Sequence, residues 1–153
     1  MVNRREVREV VLQALYAFEV GDNPAGEIRK YILKEKLGKD SEALKFAEKL
    51  FLRTVDMQDE LDSIIEEQIK NWEINRLAVI DKLILRIAIC EFLRFDDIPT
   101  KVTINEAIEL AKNYSTQKSG KFVNGIIDAA LGILNEQGRI QKKGRGLIES
   151  PRK

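Results

Sequence analysis

Histidine is absent from the 153 residues, and cysteine occurs once, as Cys90. Without histidine the chain lacks the usual general base, the usual proton shuttle and the commonest metal ligand. One cysteine makes no internal disulfide and no thiolate zinc cluster. Ser-His-Asp and Cys-His catalysis are excluded, and nothing calls for a metal or a cofactor. Three prolines and nine glycines leave little to interrupt helices. No apolar run approaches the roughly 18 residues of a membrane span, and the start does not have the form of a signal peptide. A reducing, cytoplasmic setting is the expectation. What is present is a hydrophobic share of 44% beside a charged share of 33%, enough for one domain with a core and hardly enough for two.

Neither sign of charge dominates, yet the placement is uneven. Arg4, Arg5 and Arg8 against Glu6 leave residues 1–8 at +2. Arg139, Lys142, Lys143, Arg145, Arg152 and Lys153 against Glu149 leave residues 137–153 at +5. The total of +1 then puts −6 on the chain between. Basic ends suit a polyanion and an acidic body suits a basic protein, although charged termini also simply solvate a small domain.

Helical periodicity runs through the chain, and no strand-like alternation of useful length interrupts it. A first helix is expected from Asn3, its cap, to Val20, with Val7, Val10, Val11, Ala14, Leu15 and Phe18 as its apolar stripe. A second spans about 25–37 and stops at Gly38. Ser41 opens a third, with Leu44, Ala47, Leu50, Phe51 and Val55 inward. The pattern bends near 56–58 and resumes with Leu61, Ile64, Ile65 and Ile69. Asn71 and Trp72 mark a break. Leu77, Ile80, Leu83, Ile84, Ile87, Ala88 and Phe92 then mark a helix apolar over a wide face, stopped by Asp96-Asp97-Ile98-Pro99. Thr103-Ile104-Asn105-Glu106 fits a capping box, opening a helix with Ala107, Ile108, Ala111 and Tyr114 inward. A polar loop over 115–119 leads to a last helix over about 119–135, with Phe122, Val123, Ile126, Ile127, Ala130 and Leu134. The expectation is an all-α protein of six or seven helices in two small bundles (about 1–70 and 73–136) forming one compact domain, followed by a disordered basic tail over 137–153.

The first helix carries the most specific signal. At 100° per residue, Arg5, Arg8, Leu12 and Tyr16 fall on one flank, in a line about 16 Å long. Cations beside an exposed aromatic ring offer charge to phosphates and a flat face to a base, as single-stranded nucleic acid requires. The same residues also fit a solvated face with Tyr16 closing the core edge. Asp96, Asp97 and the inward-facing Glu91 are the carboxylates open to an enzyme reading, but a helix stop and a hydrogen-bonded inward carboxylate explain them better. Gly125, inside the last helix, is locally unfavourable by about 1 kcal/mol relative to alanine. Close helix packing is the expected reason, with a ligand contact as the alternative. Cys90 reads as a small buried hydrophobe.

Two segments are specific in order and spacing. Thr103-Ile104-Asn105-Glu106-Ala107-Ile108-Glu109-Leu110-Ala111-Lys112 is followed, after a short polar loop, by Lys121-Phe122-Val123-Asn124-Gly125-Ile126. With Gln13-Ala14-Leu15-Tyr16, Ile84-Leu85-Arg86-Ile87-Ala88, Asp97-Ile98-Pro99 and the basic start, they resemble the bacterial transcription antitermination factor NusB family over about residues 3–135. The domain is also similar to the N-terminal module of certain ribosomal RNA cytosine methyltransferases, but this chain ends before a catalytic domain would begin, so that version is not expected.

The resemblance implies a non-enzymatic, all-helical adaptor that takes no small-molecule substrate and does not enter a membrane. It implies binding to single-stranded boxA RNA of nascent ribosomal RNA leaders, together with the small-subunit ribosomal protein NusE, in a complex with other Nus factors on RNA polymerase. It places RNA contacts at Arg4, Arg5, Arg8 and Tyr16, at Arg86, and at Phe122 with Lys121 beside it. Two departures stand out. Lys118 occupies a loop position that is often acidic in the family, which bears on the RNA edge or on the partner protein. The arginine cluster at the start is also sparser than is common. The alternative is a helical scaffold that binds only protein.

Overall fold

The computed structural model describes residues 2–69 and 74–147. Among the described residues the chain is all-helical, with seven α-helices and no strand. It divides into two compact units, Met1–Asp56 and Met57–Lys153. The expected break at Asn71–Trp72 lies outside the described residues, and the units part instead at Met57, where the bend near 56–58 was read.

The first unit holds three helices. α1 is Arg4–Gly21, opened by the expected cap: the Asn3 side chain accepts from the Glu6 amide at 2.9 Å, and Glu6 Oε1 accepts from the Asn3 amide at 3.2 Å. This satisfies two otherwise unpaired amides. α1 ends at Asp22, whose φ of 57° is left-handed. α2 covers 25–37 and is not a plain helix, since Ala25–Ile28 and Lys34–Leu37 flank a π-helical segment, Arg29–Leu33. α3 is Ser41–Asp56. Asp40 ties its start to the chain's beginning, accepting from the Ala43 amide at 3.1 Å and from the Val2 amide at 3.0 Å. α1 packs on α3, and Phe18 meets Phe51 edge-on with ring centroids 6.2 Å apart.

The buried faces are rotated from the expected stripes. On α1, Arg8 and Leu12 are buried while Val10 and Phe18 are half-buried. On α3, Ala43, Phe46 and Thr54 are buried while Leu44 and Val55 are half-buried.

The second unit is built around α5. α4 is Gln58–Ile69, a short 3-10 turn covers Ile74–Arg76, α5 is Val79–Arg94, α6 is Thr100–Tyr114 and α7 is Gln117–Glu136. α5 contacts α4, α6 and α7, and every residue from Asp81 to Phe92 is buried. A helix covered all round has no polar face to orient it. Three polar residues do so here, one towards each neighbour. Asp81 accepts from Ser119 Oγ of α7 at 3.0 Å, Arg86 pairs with Asp62 of α4, and Glu91 accepts from Thr103 Oγ1 of α6 at 2.7 Å. The expected capping box at Thr103–Glu106 is therefore not formed. α6 starts earlier, after Pro99, and Thr103 lies inside the helix with its hydroxyl committed to Glu91.

Beyond α7 the chain turns at Gly138, with φ of 69°. The Arg139 amide donates to Leu134 O at 2.9 Å and the Gly138 amide to Asn135 O at 3.0 Å, a Schellman closure. Up to residue 147 the chain does not then leave the surface, contrary to the expectation of disorder over this stretch; the rest of the expected tail, 148–153, lies outside the described residues. Residues 139–147 lie along the second unit and end in a short 3-10 turn, Gly144–Leu147. Two of the basic side chains of the expected tail find acceptors there: Arg139 pairs with Glu60, and Lys142 donates to Glu91 O and Phe95 O.

Candidate nucleic-acid interface

In the first unit, Arg4, Arg5 and Tyr16 are exposed on α1, with Tyr16 at 43%. Arg4 carries its guanidinium 4.0 Å from the centroid of Phe46, so the ring face holds it while leaving it open to solvent. The stack borders a pocket of about 230 Å³ that also reaches Val2, Val7 and Ala43. Arg8 is different. It is 3% exposed, with its guanidinium 5.5 Å from the same ring. The predicted line of Arg5, Arg8, Leu12 and Tyr16 is thus broken in the middle: Arg8 and Leu12 are buried, and only its two ends face out. Phe46 of α3, next to Ala47 of the expected inward face, receives the Arg4 and Arg8 guanidiniums on its ring.

In the second unit, Lys118 and Lys121 are exposed on α7 and Phe122 is half-buried beside them. The α7 start is fixed by Thr116, whose hydroxyl accepts from the Ser119 amide at 3.2 Å. A Cβ added to Gly125 would meet nothing within 4 Å. The expectation that close helix packing demands this glycine is therefore corrected. It leaves a bare stretch of backbone on the exposed face, one turn beyond Lys121.

Arg86 is not at a surface. It is 4% exposed, and its fork is occupied by Asp62: Nε to Oδ1 at 2.7 Å and Nη2 to Oδ2 at 2.9 Å. A buried bidentate ion pair offers nothing to a phosphate, so the RNA contact expected at Arg86 is replaced by a contact within the fold. Asp96 and Asp97 are exposed, while Glu91 is fully buried and bonded by Thr103; what the three share is the Lys142 ammonium, on which all of them act. Two features escaped the sequence reading altogether, the Phe46 platform and the docked tail. Both join residues far apart in the chain, and neither leaves a local pattern.

The described residues thus form an all-helical protein with exposed arginines and a tyrosine on α1, and two exposed lysines beside a phenylalanine on α7. Comparison with known proteins names the family. The NusB family model matches residues 5–131, and the chain belongs to the NusB family. A transcription antitermination protein NusB of Salinibacter ruber is 48% identical over 148 residues, covering 97% of this chain and 92% of the relative. A T. maritima NusB structure superposes with a TM-score of 0.79 at 38% identity, covering 86% of this chain and 92% of that one. A crystal structure of antitermination factors NusB and NusE in complex with dsRNA gives a TM-score of 0.78 at 29% identity, covering 85% and 96%. No helix among the described residues is long and apolar enough to cross a membrane.

Proposed function

We propose that this chain is a transcription antitermination factor that binds RNA together with the ribosomal protein NusE and catalyses no reaction. It acts in the cytoplasm, as part of an antitermination complex on RNA polymerase, and its RNA target is a boxA-type leader element. The observation that carries this reading is family membership over residues 5–131, joined to a neighbour of the same fold solved with NusE and dsRNA.

The RNA contacts are assigned to exposed side chains only. On α1, Arg4 and Arg5 supply phosphate charge and Tyr16 a stacking face; on α7, Lys121 and Lys118 supply charge and the uncovered edge of Phe122 an apolar contact. Arg8 supports this set indirectly, because it shares the Phe46 ring with Arg4. Arg86 is left out of it. The bare backbone at Gly125 supports a close approach by RNA or partner on the same helix. The acidic body, −6 between the basic ends, suits a basic ribosomal protein.

A titration tests the reading. Fluorescently labelled boxA-like single strand, a scrambled strand and a boxA duplex are each added to the protein, with and without NusE. The expected result is preference for boxA over the scrambled strand, tightened by NusE. Equal weak binding to all three, with NusE bound normally, favours a protein-only scaffold.

A further inference from the structure

Residues 139–147 form a strap on the second unit rather than a loose tail. Four contacts hold it. Arg139 pairs with Glu60. Lys142 Nζ donates to Phe95 O at 2.7 Å and to Glu91 O at 3.1 Å. These are carbonyls at the C-terminal end of α5, where a cation meets the negative end of the helix dipole. Burial pushes the Lys142 ammonium below its usual value, while Glu91, Asp97 and Asp96 pull it the other way. The Lys143 amide donates to Asp96 O at 2.9 Å. Gly146 then presses on the same carbonyl, where a Cβ would lie 2.0 Å from Asp96 O.

Between the last two contacts the chain makes one tight turn. The Gly146 amide donates to Lys143 O at 2.9 Å, and Gly144 takes a φ of 53°. Both ends of the turn are therefore fixed to the loop between α5 and α6. Arg139 and Lys142 are used to tether the strap. Lys143 and Arg145 are not buried by it: both are exposed. Arg94 and Lys101, at the two ends of the same loop, are exposed as well. Lys142 offsets one of the three negative charges of Glu91, Asp96 and Asp97, and the exposed Lys143 and Arg145 add two cations on the outer face of the turn.

We propose that this docked turn is a further RNA-binding edge, in which Lys143 and Arg145 take the phosphate backbone from a preset position. The proposal rests on the RNA-binding reading above. It differs from a flexible basic tail in one respect: the cations have to be held in place to act, because a turn already fixed gives up less backbone entropy on binding.

Two variants separate the terms. Lys143→Gln/Arg145→Gln removes the charges and leaves the anchors. Gly146→Leu keeps both charges and forces the turn off Asp96. Each is titrated with boxA-like single strand at several salt concentrations, with thermal melting as the folding control and hydrogen exchange at the Lys143 amide as the docking control. The double variant is expected to lower affinity and to flatten the salt slope by about 1.4, two phosphates at 0.7 each. Gly146→Leu is expected to speed exchange at Lys143 and to lose affinity in the same direction; Lys142→Met serves as a second undocking variant if Gly146→Leu melts early. An unchanged affinity and slope in the double variant overturns the proposal while wild-type RNA binding still stands. A loss in the double variant with none in the undocked variants overturns the fixed edge in favour of a loose tether. Wild-type protein that binds no RNA at any salt overturns the function itself.

Discussion

Arg86 on α5 and Asp62 on α4 form a bidentate ion pair, 2.7 and 2.9 Å long, with the arginine side chain 4% exposed and the aspartate 20%. The pair fixes α5 against α4 within the second unit, and it takes out of use a guanidinium that the family resemblance assigns to RNA. Breaking such a pair strands a charge in the interior, at a penalty of about 3 kcal/mol or more. Asp62→Ala is therefore expected to lower stability by that order in urea unfolding. Arg86→Met, which fills the space without a charge, is expected to be milder. RNA affinity of folded Arg86→Met should stay within about twofold of wild type, well under one 1.4 kcal/mol decade; a tenfold loss in a variant shown to be folded would return Arg86 to the RNA site.

Tyr16 is the one aromatic side chain on α1 with a large exposed face, at 43%. Stacking of a base on it is worth roughly 1–3 kcal/mol. Tyr16→Ala is expected to weaken RNA binding by that amount with little change in melting temperature, and Tyr16→Phe to retain most of it. Fluorescence titration of both variants checks this. Wild-type affinity for Tyr16→Ala removes stacking from the mechanism.

Gly125 stands in the middle of α7 with open space where a Cβ would be. Gly125→Ala is expected to raise stability by about 1 kcal/mol, the difference in helix propensity, since nothing is displaced. If RNA or NusE approaches the backbone there, the same variant binds more weakly while melting higher. Calorimetry and a titration on one sample distinguish a stability effect from an interface effect.

Asp40 accepts hydrogen bonds from the Val2 and Ala43 amides, and these hold its carboxyl below the ordinary value of 3.8. A carboxylate with a lowered value in the folded state stabilises above its unfolded value, and loses that contribution as pH falls through the folded one. Wild type is therefore expected to melt higher than Asp40→Ala at neutral pH, with the gap constant down to about pH 4 and closing below it. A gap that stays the same under acid would mean that the charge plays no part in the cap.

Much of the fold was legible in the chain. The cap at Asn3, the end of the first helix near Val20, the start at Ser41 and the bend near 56–58 are local signals, set by cap chemistry and period. The breadth of the α5 face announced a helix covered all round. The register of the buried faces was less legible, because Arg8, Phe46 and Thr54 are buried by partners distant in sequence. At the candidate site the residue types are read from the chain, but the exposure of Arg8, Leu12 and Arg86 is not. A helical wheel places Arg8 and Leu12 beside Tyr16, but it shows neither the Phe46 ring that Arg8 approaches nor the packing that buries Leu12. Likewise Arg86 announces a cation without announcing Asp62, and Lys142 looks like solvated tail until the α5 carbonyls are there to receive it.

The central claim is that exposed cations on α1 and α7, and not the buried arginines, carry RNA binding. The direct measurement is the salt dependence of boxA affinity for wild type, Arg4→Gln/Arg5→Gln and Lys118→Gln/Lys121→Gln. Each double variant is predicted to bind more weakly and to flatten the slope by about 0.7 for every phosphate contact removed. A slope that stays at the wild-type value in both would contradict the account, because the phosphates would then be held by residues other than these.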